Sequence, residues 1–396
     1  MITLDSARAL LLAGVAPLEA EQVALTDAFG RVLADDLVAR FDQPALPVSA
    51  MDGYAVTASD AVAGARLAVI GDAYAGTPFA GELARGQAVR IATGGVVPRG
   101  ADRILVQEVV RREGNALIVE GPVGDASFVR PAGGDFRAGD LLLEAGQMVT
   151  AARLGLAAAA SAATLAVRRR PRVAVFASGD ELREPGAMLG PGEAANSAAF
   201  ALAALVERWG GIADRRAVLP DDRDRAGALI REVADSDLLL FIGGASVGDR
   251  DVLRGAVAGL GATILFDRIA VQPGKPSWHA RFADGRLVLG LPGNPASAFV
   301  CAHLLLEPLI AALLGRPSLC QPQPARLATA VSESGPRETW WRAELTIDAS
   351  GRRIVTPDMR RDSSLQRPLA AANALLRQPA AVALAAGDRV DVILLE

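Results

Sequence analysis

The chain has 396 residues, of which 51% are hydrophobic and 22% are charged. This length exceeds the roughly 100–200 residues of one domain, so we expect two to four domains rather than a single core. The net charge is −4 at pH 7, which leaves no general positive field for nucleic acid or an anionic membrane surface. Any anion that this protein binds must therefore be held locally.

Metal-ligating and nucleophilic side chains are scarce. The cysteines and histidines are Cys301, Cys320, His279 and His303, too few for a disulfide framework or a cysteine-based zinc site, and they disfavour Ser-His-Asp chemistry. The apolar stretch 154–167 is shorter than the roughly 20 residues of a membrane span and predicts a buried helix. Asp5 stands where a signal peptide carries positive charge. We expect a cytoplasmic protein with neither membrane nor nucleic acid as partner.

The basic residues are strongly biased. Lysine and arginine together number 41, and Lys275 is the single lysine among them. It lies in the sequence Gln-Pro-Gly-Lys-Pro, a rigid turn that would hold a compact ammonium in place, a role that the planar arginine fork fills poorly. Survival by chance in an arginine-rich chain is the alternative. We favour a functional lysine.

The first part of the chain changes character twice. Phe29, Val32 and Leu33 have helical spacing and predict helix over residues 5–38, and a helical pattern returns over 150–167. Between them, short β-branched runs separated by Gly, Pro and Asp predict strands at 88–91, 104–110 and 116–119. We therefore predict a discontinuous helical domain (1–40 and 141–168) that carries an inserted β-rich domain (41–140).

Strand and helix alternate after the basic linker 168–172. Strands are predicted at 173–177 and 238–242, with helices that begin after Asn196 and after Asp222. This order predicts a doubly wound α/β domain over 169–318, with ligands outside the carboxyl ends of its strands. Strand patterns over 319–396 predict a C-terminal β domain. The fold class is a multidomain α/β protein.

Four loops are predicted to converge at that edge of the sheet. The glycine-rich loop 243–251 follows a buried strand and precedes a helix, an arrangement in which backbone N–H groups bind phosphate. It matches neither a Walker loop nor a dinucleotide fingerprint, and a simple turn capped by Asp249 or Asp251 is the alternative. Asp221 and Asp222 also precede a helix, so a capping role for one of them is the alternative to a ligand role. Carboxylates from two neighbouring strand ends that face a phosphate are what an Mg²⁺ site needs. Loops 178–181 and 291–297 complete the set.

Seven motifs in order resemble one family along nearly the whole chain. They are SAMDGYAV at 49–56, RIATGGVVPRGADRILVQE at 90–108, GGDFRAGD at 133–140, RRPRVAVFASGDEL at 169–182, GGASVGDRD at 243–251, PGKP at 273–276 and LPGNPAS at 291–297. Together they resemble the molybdopterin molybdenumtransferase family, the MoeA-type proteins related to the C-terminal domain of gephyrin. Taken alone, 49–56, 91–95 and 133–135 would be ordinary turns.

The resemblance implies a fold and an activity. It implies four subdomains in an elongated homodimer, with the active site in the doubly wound molybdopterin-binding domain and completed by the partner subunit. It implies an enzyme that uses Mg²⁺ and inserts molybdate into adenylylated molybdopterin, with release of AMP, to give molybdenum cofactor. The implied partners are small-molecule substrates, a molybdopterin adenylyltransferase and molybdoenzymes that accept the cofactor.

The resemblance also implies roles for individual residues. Its catalytic positions are Asp52, Thr93, Asp135, Glu181, Asp221, Asp251 and Lys275, with Asp221 and Asp251 as the Mg²⁺ ligands. Its substrate-binding positions are Ser178, Gly179, Gly243, Gly244, Ser246, Gly248, Pro292, Asn294, Ser297, Arg342, Ser363 and Ser364. Lys275 and Ser297 are expected to hold molybdate and the glycine loop to hold the substrate phosphate. Gln272 departs from the family lysine, which removes one positive charge near the molybdate.

Two other functions compete with this interpretation. A molybdopterin adenylyltransferase resembles residues 170–315 alone, and the inserted domain with SAMDGYAV argues against it. A non-catalytic scaffold that binds the pterin or another protein would not need Lys275 and the aspartates, which this chain has.

Overall fold

The computed structural model describes residues 1–233, 235–244 and 252–395. Its first part contains two helices, α1 (Leu4–Leu12) and α2 (Ala151–Ala159). The strands of this part are β1 (Ala20–Ala24), β2 (Leu37–Val38), β3 (Val48–Ser49), β4 (Gly53–Val56), β5 (Arg66–Ala73), β6 (Gln87–Ile91), β7 (Arg103–Val106), β8 (Val110–Glu113), β9 (Ala116–Val119), β10 (Val129–Arg130), β11 (Leu141–Leu143) and β12 (Thr164–Arg168).

The predicted helix over 5–38 is wrong beyond Leu12. Gly14 has φ +67 after the end of α1, and β1 then pairs antiparallel with β12. Val32 and Leu33 are buried, but they bridge to Met148 and Val167 rather than lie on a helix face. Pairing between segments far apart in the chain overrides the local helical spacing.

The predicted helix over 150–167 is wrong beyond Ala159. Thr150 caps α2 by accepting a hydrogen bond from the Arg153 N–H at 3.3 Å. Ser161 has φ +58 and β12 begins at Thr164. Within α2 only Ala157 is buried, so the expectation of a buried helix over 154–167 is also wrong. This region is a mixed α/β unit rather than a helical domain.

The inserted segment forms a six-stranded sheet in the order β7-β4-β6-β5-β9-β8. The predicted strands at 88–91 and 116–119 are confirmed, whereas the run 104–110 is interrupted by a short 3-10 helix over Gln107–Val109. We propose the domain boundaries given above, after residues 40, 140, 168 and 318, because strands β1 to β12 pair only within those limits. Helix α1 is the exception, because Leu4 and Leu11 pack in the core of the segment after residue 168 and Ile2 bridges to Ile269.

The central part is doubly wound, as predicted. Its helices are α3 (Ser197–Arg208), α4 (Arg223–Arg231), α5 (Val252–Gly259), α6 (Pro295–Cys301) and α7 (Glu307–Leu313). Its strands are β13 (Arg172–Ala177), β14 (Leu182–Arg183), β15 (Ala194–Ala195), β16 (Ile212–Arg215), β17 (Leu238–Ile242), β18 (Thr263–Phe266), β19 (Val271–Gln272), β20 (Trp278–Arg281) and β21 (Leu287–Leu291).

The central sheet has the order β16-β13-β17-β21-β20-β18, and its first four strands are parallel. Along β13, Val173 and Val175 face α3, α6 and α7, whereas Ala174 and Phe176 face α4 and α5. Both faces of the sheet are therefore buried under helices, which explains why strands such as β17 are apolar throughout.

One helical segment in the described part of the chain, Pro295–Leu313, is long and apolar enough to cross a bilayer. It runs from α6 through a short π-helical stretch to α7, and 89% of it is buried inside the protein. That burial fits a core helix that packs on the central sheet.

The last part of the chain forms a closed β barrel. Its strands are β22 (Gln323–Leu327), β23 (Glu338–Ile347), β24 (Arg353–Pro357), β25 (Ala374–Gln378) and β26 (Arg389–Leu394), with one helix, α8 (Gln366–Ala371). The sheet order β23-β24-β22-β26-β25 closes by a further pairing of β25 with β23. The predicted C-terminal strands are confirmed. In addition, β19 of the central part pairs in parallel with β23, which joins the loop that carries Lys275 to the barrel.

Candidate active site

Four loops line a large cavity of about 1020 Å³ at the carboxyl edge of the central sheet. They follow β13, β16, β17 and β21, and the predicted convergence is confirmed. The predicted residues that line this large cavity are Ser178, Gly179, Glu181, Asp221, Gly243, Gly244, Pro292, Asn294 and Ser364. Of the remaining predicted residues at this edge, Ser246, Gly248 and Asp251 lie outside the described residues.

The two described glycines of the loop after β17 allow a close approach of backbone segments. Gly243 has φ +90, and a Cβ there would lie 2.7 Å from the Ser178 carbonyl oxygen. Gly244 has φ +63, and a Cβ there would lie 2.6 Å from a methyl carbon of Leu253. Any side chain at either position would be strained and would clash. The glycines therefore keep backbone at the floor of the large cavity.

The structure separates the roles of the two neighbouring aspartates. Asp222 is the N-cap of α4, and its carboxylate accepts a hydrogen bond from the Arg225 N–H at 2.8 Å. Asp221 lines the large cavity, where its carboxylate is 3.4 Å from the Ser178 hydroxyl. Since Asp222 already satisfies the helix end, the Asp221 carboxylate is available to a ligand.

The same end of the large cavity has the donor chemistry for a hard cation. Asp180 and Glu181 line it beside Asp221, and the Asp180 carboxylate accepts a hydrogen bond from the Asp221 N–H at 3.3 Å. Within the described ranges, no three His, Cys, Asp or Glu side chains group to hold a metal. Mg²⁺ commonly takes only one or two carboxylates and completes its shell with water and substrate phosphate. These oxygen donors fit such an ion.

A small cavity of about 240 Å³ adjoins the large one. It is lined by the predicted residues Lys275, Ser297, Arg342 and Ser363, and Pro276 lines both cavities. The wall between them is tied by a 2.8 Å hydrogen bond from the Asn294 side-chain amide to the Ser363 hydroxyl. The small cavity lies between the central part and the barrel, which β19 and β23 bring together.

Lys275 is held in the small cavity by its backbone rather than by its side chain. Its carbonyl oxygen accepts from the Ile269 N–H at 3.1 Å, and the preceding Gly274 has φ +132 with no room for a Cβ beside Cys301. The ammonium has no hydrogen bond or ion pair with any described residue. The backbone is thus held in place, while the charge at the end of the side chain is available to an anion.

Arg342 binds backbone carbonyl oxygens of the segment 360–365, a structural role that the sequence does not indicate. It is 7% exposed and donates to the carbonyl oxygens of Leu365 at 2.9 Å and Asp362 at 3.1 Å, and also to that of Arg360. Burial lowers the pKa of its guanidinium. These bonds consume both terminal nitrogens, so Arg342 shapes the segment 360–365 around the small cavity.

Three predicted residues lie in the inserted domain and line neither cavity of this chain: Asp52, Thr93 and Asp135. Asp52 and Thr93 are together, because the Asp52 carboxylate accepts from the Thr93 N–H at 2.7 Å and from its hydroxyl at 2.9 Å. The backbone hydrogen bond from Thr93 is the main cause of a lowered pKa at Asp52. Asp135 donates its backbone N–H to the Gln43 carbonyl oxygen instead.

Asn196 lines the large cavity, although its sequence position before a helix indicated only a helix cap. As an Asn before a helix it predicts a side-chain cap, but no such bond forms at α3. It is 2% exposed and lines the large cavity, and its amide donates to Glu184 at 3.1 Å. The amide oxygen has no partner among residues 1–233, 235–244 and 252–395. A buried acceptor left open at a cavity wall is suited to a polar ligand.

Three family profiles match the chain in succession. The MoeA N-terminal region (domain I and II) matches residues 2–161, a probable molybdopterin binding domain matches 174–312, and the MoeA C-terminal region (domain IV) matches 324–395.

Relatives and solved structures agree with these profiles. Molybdopterin molybdenumtransferase 2 of Mycobacterium tuberculosis is 35% identical over 383 residues, which cover 93% of this chain and 94% of that protein. The molybdopterin molybdenumtransferase of Haemophilus influenzae is 36% identical over 324 residues, 80% of this chain and 78% of that protein. The crystal structure of a molybdopterin biosynthesis MoeA protein from Pyrococcus horikosii superimposes with a TM-score of 0.85 at 29% identity, covering 100% of this chain and 99% of the other. The chain belongs to the molybdopterin molybdenumtransferase family, transferases of molybdenum cofactor biosynthesis.

Proposed function

We propose that this protein inserts molybdate into adenylylated molybdopterin and releases AMP in an Mg²⁺-dependent reaction, giving molybdenum cofactor. The observation that carries the proposal is the pair of adjoining cavities. The large cavity has the size for a nucleotide-linked organic substrate, and the small cavity holds the single lysine beside a serine. Their common wall at Pro276 would place the two reactants in contact.

Each cavity contributes binding and electrostatics rather than a nucleophile. The loop at Gly243 and Gly244 lets backbone approach the substrate phosphates. The Lys275 ammonium and the Ser297 hydroxyl orient molybdate against the substrate. Fixed positive charge stabilises the negative charge that grows on the oxygens as the AMP group departs.

Mg²⁺, when bound, would neutralise the phosphoryl oxygens at the bond that releases AMP. Asp221 would hold it from the large cavity, together with Asp251, which the family resemblance assigns to the same ion. Glu181 and Ser178 line the same end of the cavity and would orient the water or phosphate oxygens around the ion.

The assembly and the setting of the reaction belong to the same proposal. We infer a homodimer in which the partner subunit brings its inserted domain, with the Asp52 and Thr93 pair and Asp135, to the cavities of the first subunit. The protein would work in the cytoplasm, receive its substrate from a molybdopterin adenylyltransferase and pass its product to molybdoenzymes.

The test is a direct assay with purified protein. Adenylylated molybdopterin, Mg²⁺ and molybdate are mixed with the protein, and AMP is measured by chromatography. We expect AMP release that requires both ions and that falls when sulfate replaces molybdate. AMP release at the same rate without molybdate, or none under any condition, would contradict the proposed function.

A further inference from the structure

The small cavity is far more positive than its predicted residues require. Five basic residues line it, namely Lys275, Arg337, Arg342, Arg360 and Arg361, against the single acidic residue Asp358. The sequence assigns two of these to the site, Lys275 and Arg342. The availability of each charge depends on what its side chain already contacts.

Three of the four arginines are already engaged. Arg342 donates to three carbonyl oxygens, as described above. Arg360 forms a two-pronged ion pair with Asp358, at 2.9 Å and 2.7 Å. Arg337 donates to the Val271 carbonyl oxygen at 3.4 Å and to the Gln272 side-chain oxygen at 3.3 Å. Part of the donor capacity of each is therefore already used, and the charge of Arg360 is offset by that of Asp358.

Arg361 is different. Its guanidinium lies over the ring of Trp341 at 4.6 Å from the ring centroid, and it has no hydrogen bond or ion pair with any residue in the described ranges. Stacking holds a guanidinium by its flat face and leaves the N–H groups at its edge free. The Trp341 ring is itself held in place, because Trp341 is 4% exposed and its indole N–H donates to the Gln378 side-chain oxygen at 2.9 Å.

The segment that carries Arg361 is fixed against the central part. The backbone oxygen of Ser363 accepts from the Ala296 N–H at 3.1 Å, and its hydroxyl accepts from Asn294. Gln366 donates to the Ser197 hydroxyl at 2.8 Å. Lys275 and Arg361, whose side chains have no hydrogen bond or ion pair within the described part of the chain, therefore enter the small cavity from separate chain segments that are tied together.

We propose that Arg361, stacked on Trp341, is the second cation of the oxyanion site in this protein. Two positive charges balance a tetrahedral dianion better than one does. Lys275 supplies one, and Gln272 supplies none. The free edge of Arg361 can donate two parallel N–H groups to two oxygens of the anion, a geometry that an ammonium cannot offer. This inference rests on the proposed function, since it names a residue that binds the molybdate of that reaction.

The experiment compares Arg361→Gln with the wild type in two measurements. One is the Kd of molybdate, measured by titration calorimetry. The other is the molybdate concentration that gives half-maximal AMP release. We expect Arg361→Gln to raise both by about 10- to 100-fold, the effect of one lost charge-assisted hydrogen bond. Saturating molybdate should restore most of the rate, and Arg361→Lys should fall between the two.

Arg352→Gln is the matched control, because it removes the same charge from an exposed turn of the same barrel, where Arg352 pairs with Asp348. It should leave both measurements unchanged, and thermal melts should show all variants folded. If the wild type binds molybdate and Arg361→Gln binds it equally well, the role of Arg361 is overturned while the proposed function stands. If the wild type neither binds molybdate nor releases AMP, the proposed function fails and the inference with it.

Discussion

Asp221 and Asp222 are adjacent in sequence but face different tasks. The cap at Asp222 needs an acceptor oxygen, which asparagine also provides, whereas a cation at Asp221 needs negative charge. We predict that Asp221→Asn lowers Mg²⁺-dependent AMP release on the order of 100-fold. The free energy of unfolding should stay nearly constant, as checked by thermal melts.

The neighbouring position provides the control for that prediction. Asp222→Ala should lower the free energy of unfolding by about 1 kcal/mol, or roughly 2–4 °C in Tm, with activity nearly retained. Asp222→Asn should keep both. Equal losses of stability and activity in Asp221→Asn would leave that residue with a structural role only.

Lys275 combines a fixed backbone with a side chain that has no described partner. We predict that Lys275→Arg keeps the charge but lowers AMP release by roughly 30- to 1000-fold at limiting molybdate, because the longer planar fork cannot place its charge where the compact ammonium does. Lys275→Ala should be no more active. Full activity of Lys275→Arg at limiting molybdate would contradict a point-charge role.

Strand β20 carries a buried titratable group on the antiparallel side of the central sheet. His279 is fully buried, and its Nδ1 lies 2.7 Å from the Val288 carbonyl oxygen, while Nε2 has no partner in the described part of the chain. Burial lowers the pKa of this imidazole from 6.5 to about 4. The folded protein therefore keeps His279 neutral at a pH where the unfolded chain protonates it.

This burial predicts a pH dependence of stability. Between pH 6.5 and 4, His279 is protonated in the unfolded state but not in the folded state. The free energy of unfolding therefore falls as the pH falls, by at most about 1.4 kcal/mol per pH unit. His279→Asn keeps a donor for Val288 but does not titrate. The free energy of unfolding, measured by urea melts at several pH values in this window, should fall less steeply with falling pH in the variant. Equal slopes for the variant and the wild type would mean that other groups dominate.

The large cavity depends on the parallel strands, whose carboxyl ends meet at one edge. The alternation of apolar strands and amphipathic helices predicted this arrangement, because strands that helices cover on both faces are apolar along their whole length. The strand pair β1 and β12 could not be predicted in the same way. Its hydrogen bonds join residues more than a hundred positions apart, and although β12 shows the alternation of a half-buried strand, β1 does not.

The predicted site residues of the inserted domain lie outside both cavities. Asp52 and Thr93 form hydrogen bonds with each other but line neither cavity of this chain. A symmetric dimer would let each inserted domain complete the site of the other subunit. In such a dimer, two different inactive subunits could build one intact site between them.

We therefore predict complementation between Asp52→Ala and Lys275→Ala subunits. Each homodimer should be inactive. An equal mixture of the two subunits that pair at random should recover about a quarter of the wild-type AMP release, because half of its dimers are mixed and each mixed dimer has one intact site of two. Coexpression with two different tags allows the mixed dimer to be purified and assayed. A pure mixed dimer without activity would show that each subunit builds its site alone.

The sequence by itself determined the family, the doubly wound central part and thirteen of the residues that line the two cavities. These features depend on local order: apolar runs, turn residues and glycines act through neighbours a few positions away. The tertiary structure alone decided which aspartate is the cap, that Arg342 is spent on carbonyl oxygens, and that Arg361 remains free. It also joined β19 to β23 and so created the small cavity. Those outcomes depend on contacts between segments tens to hundreds of residues apart, whose hydrogen bonds and stacking form only when the domains pack.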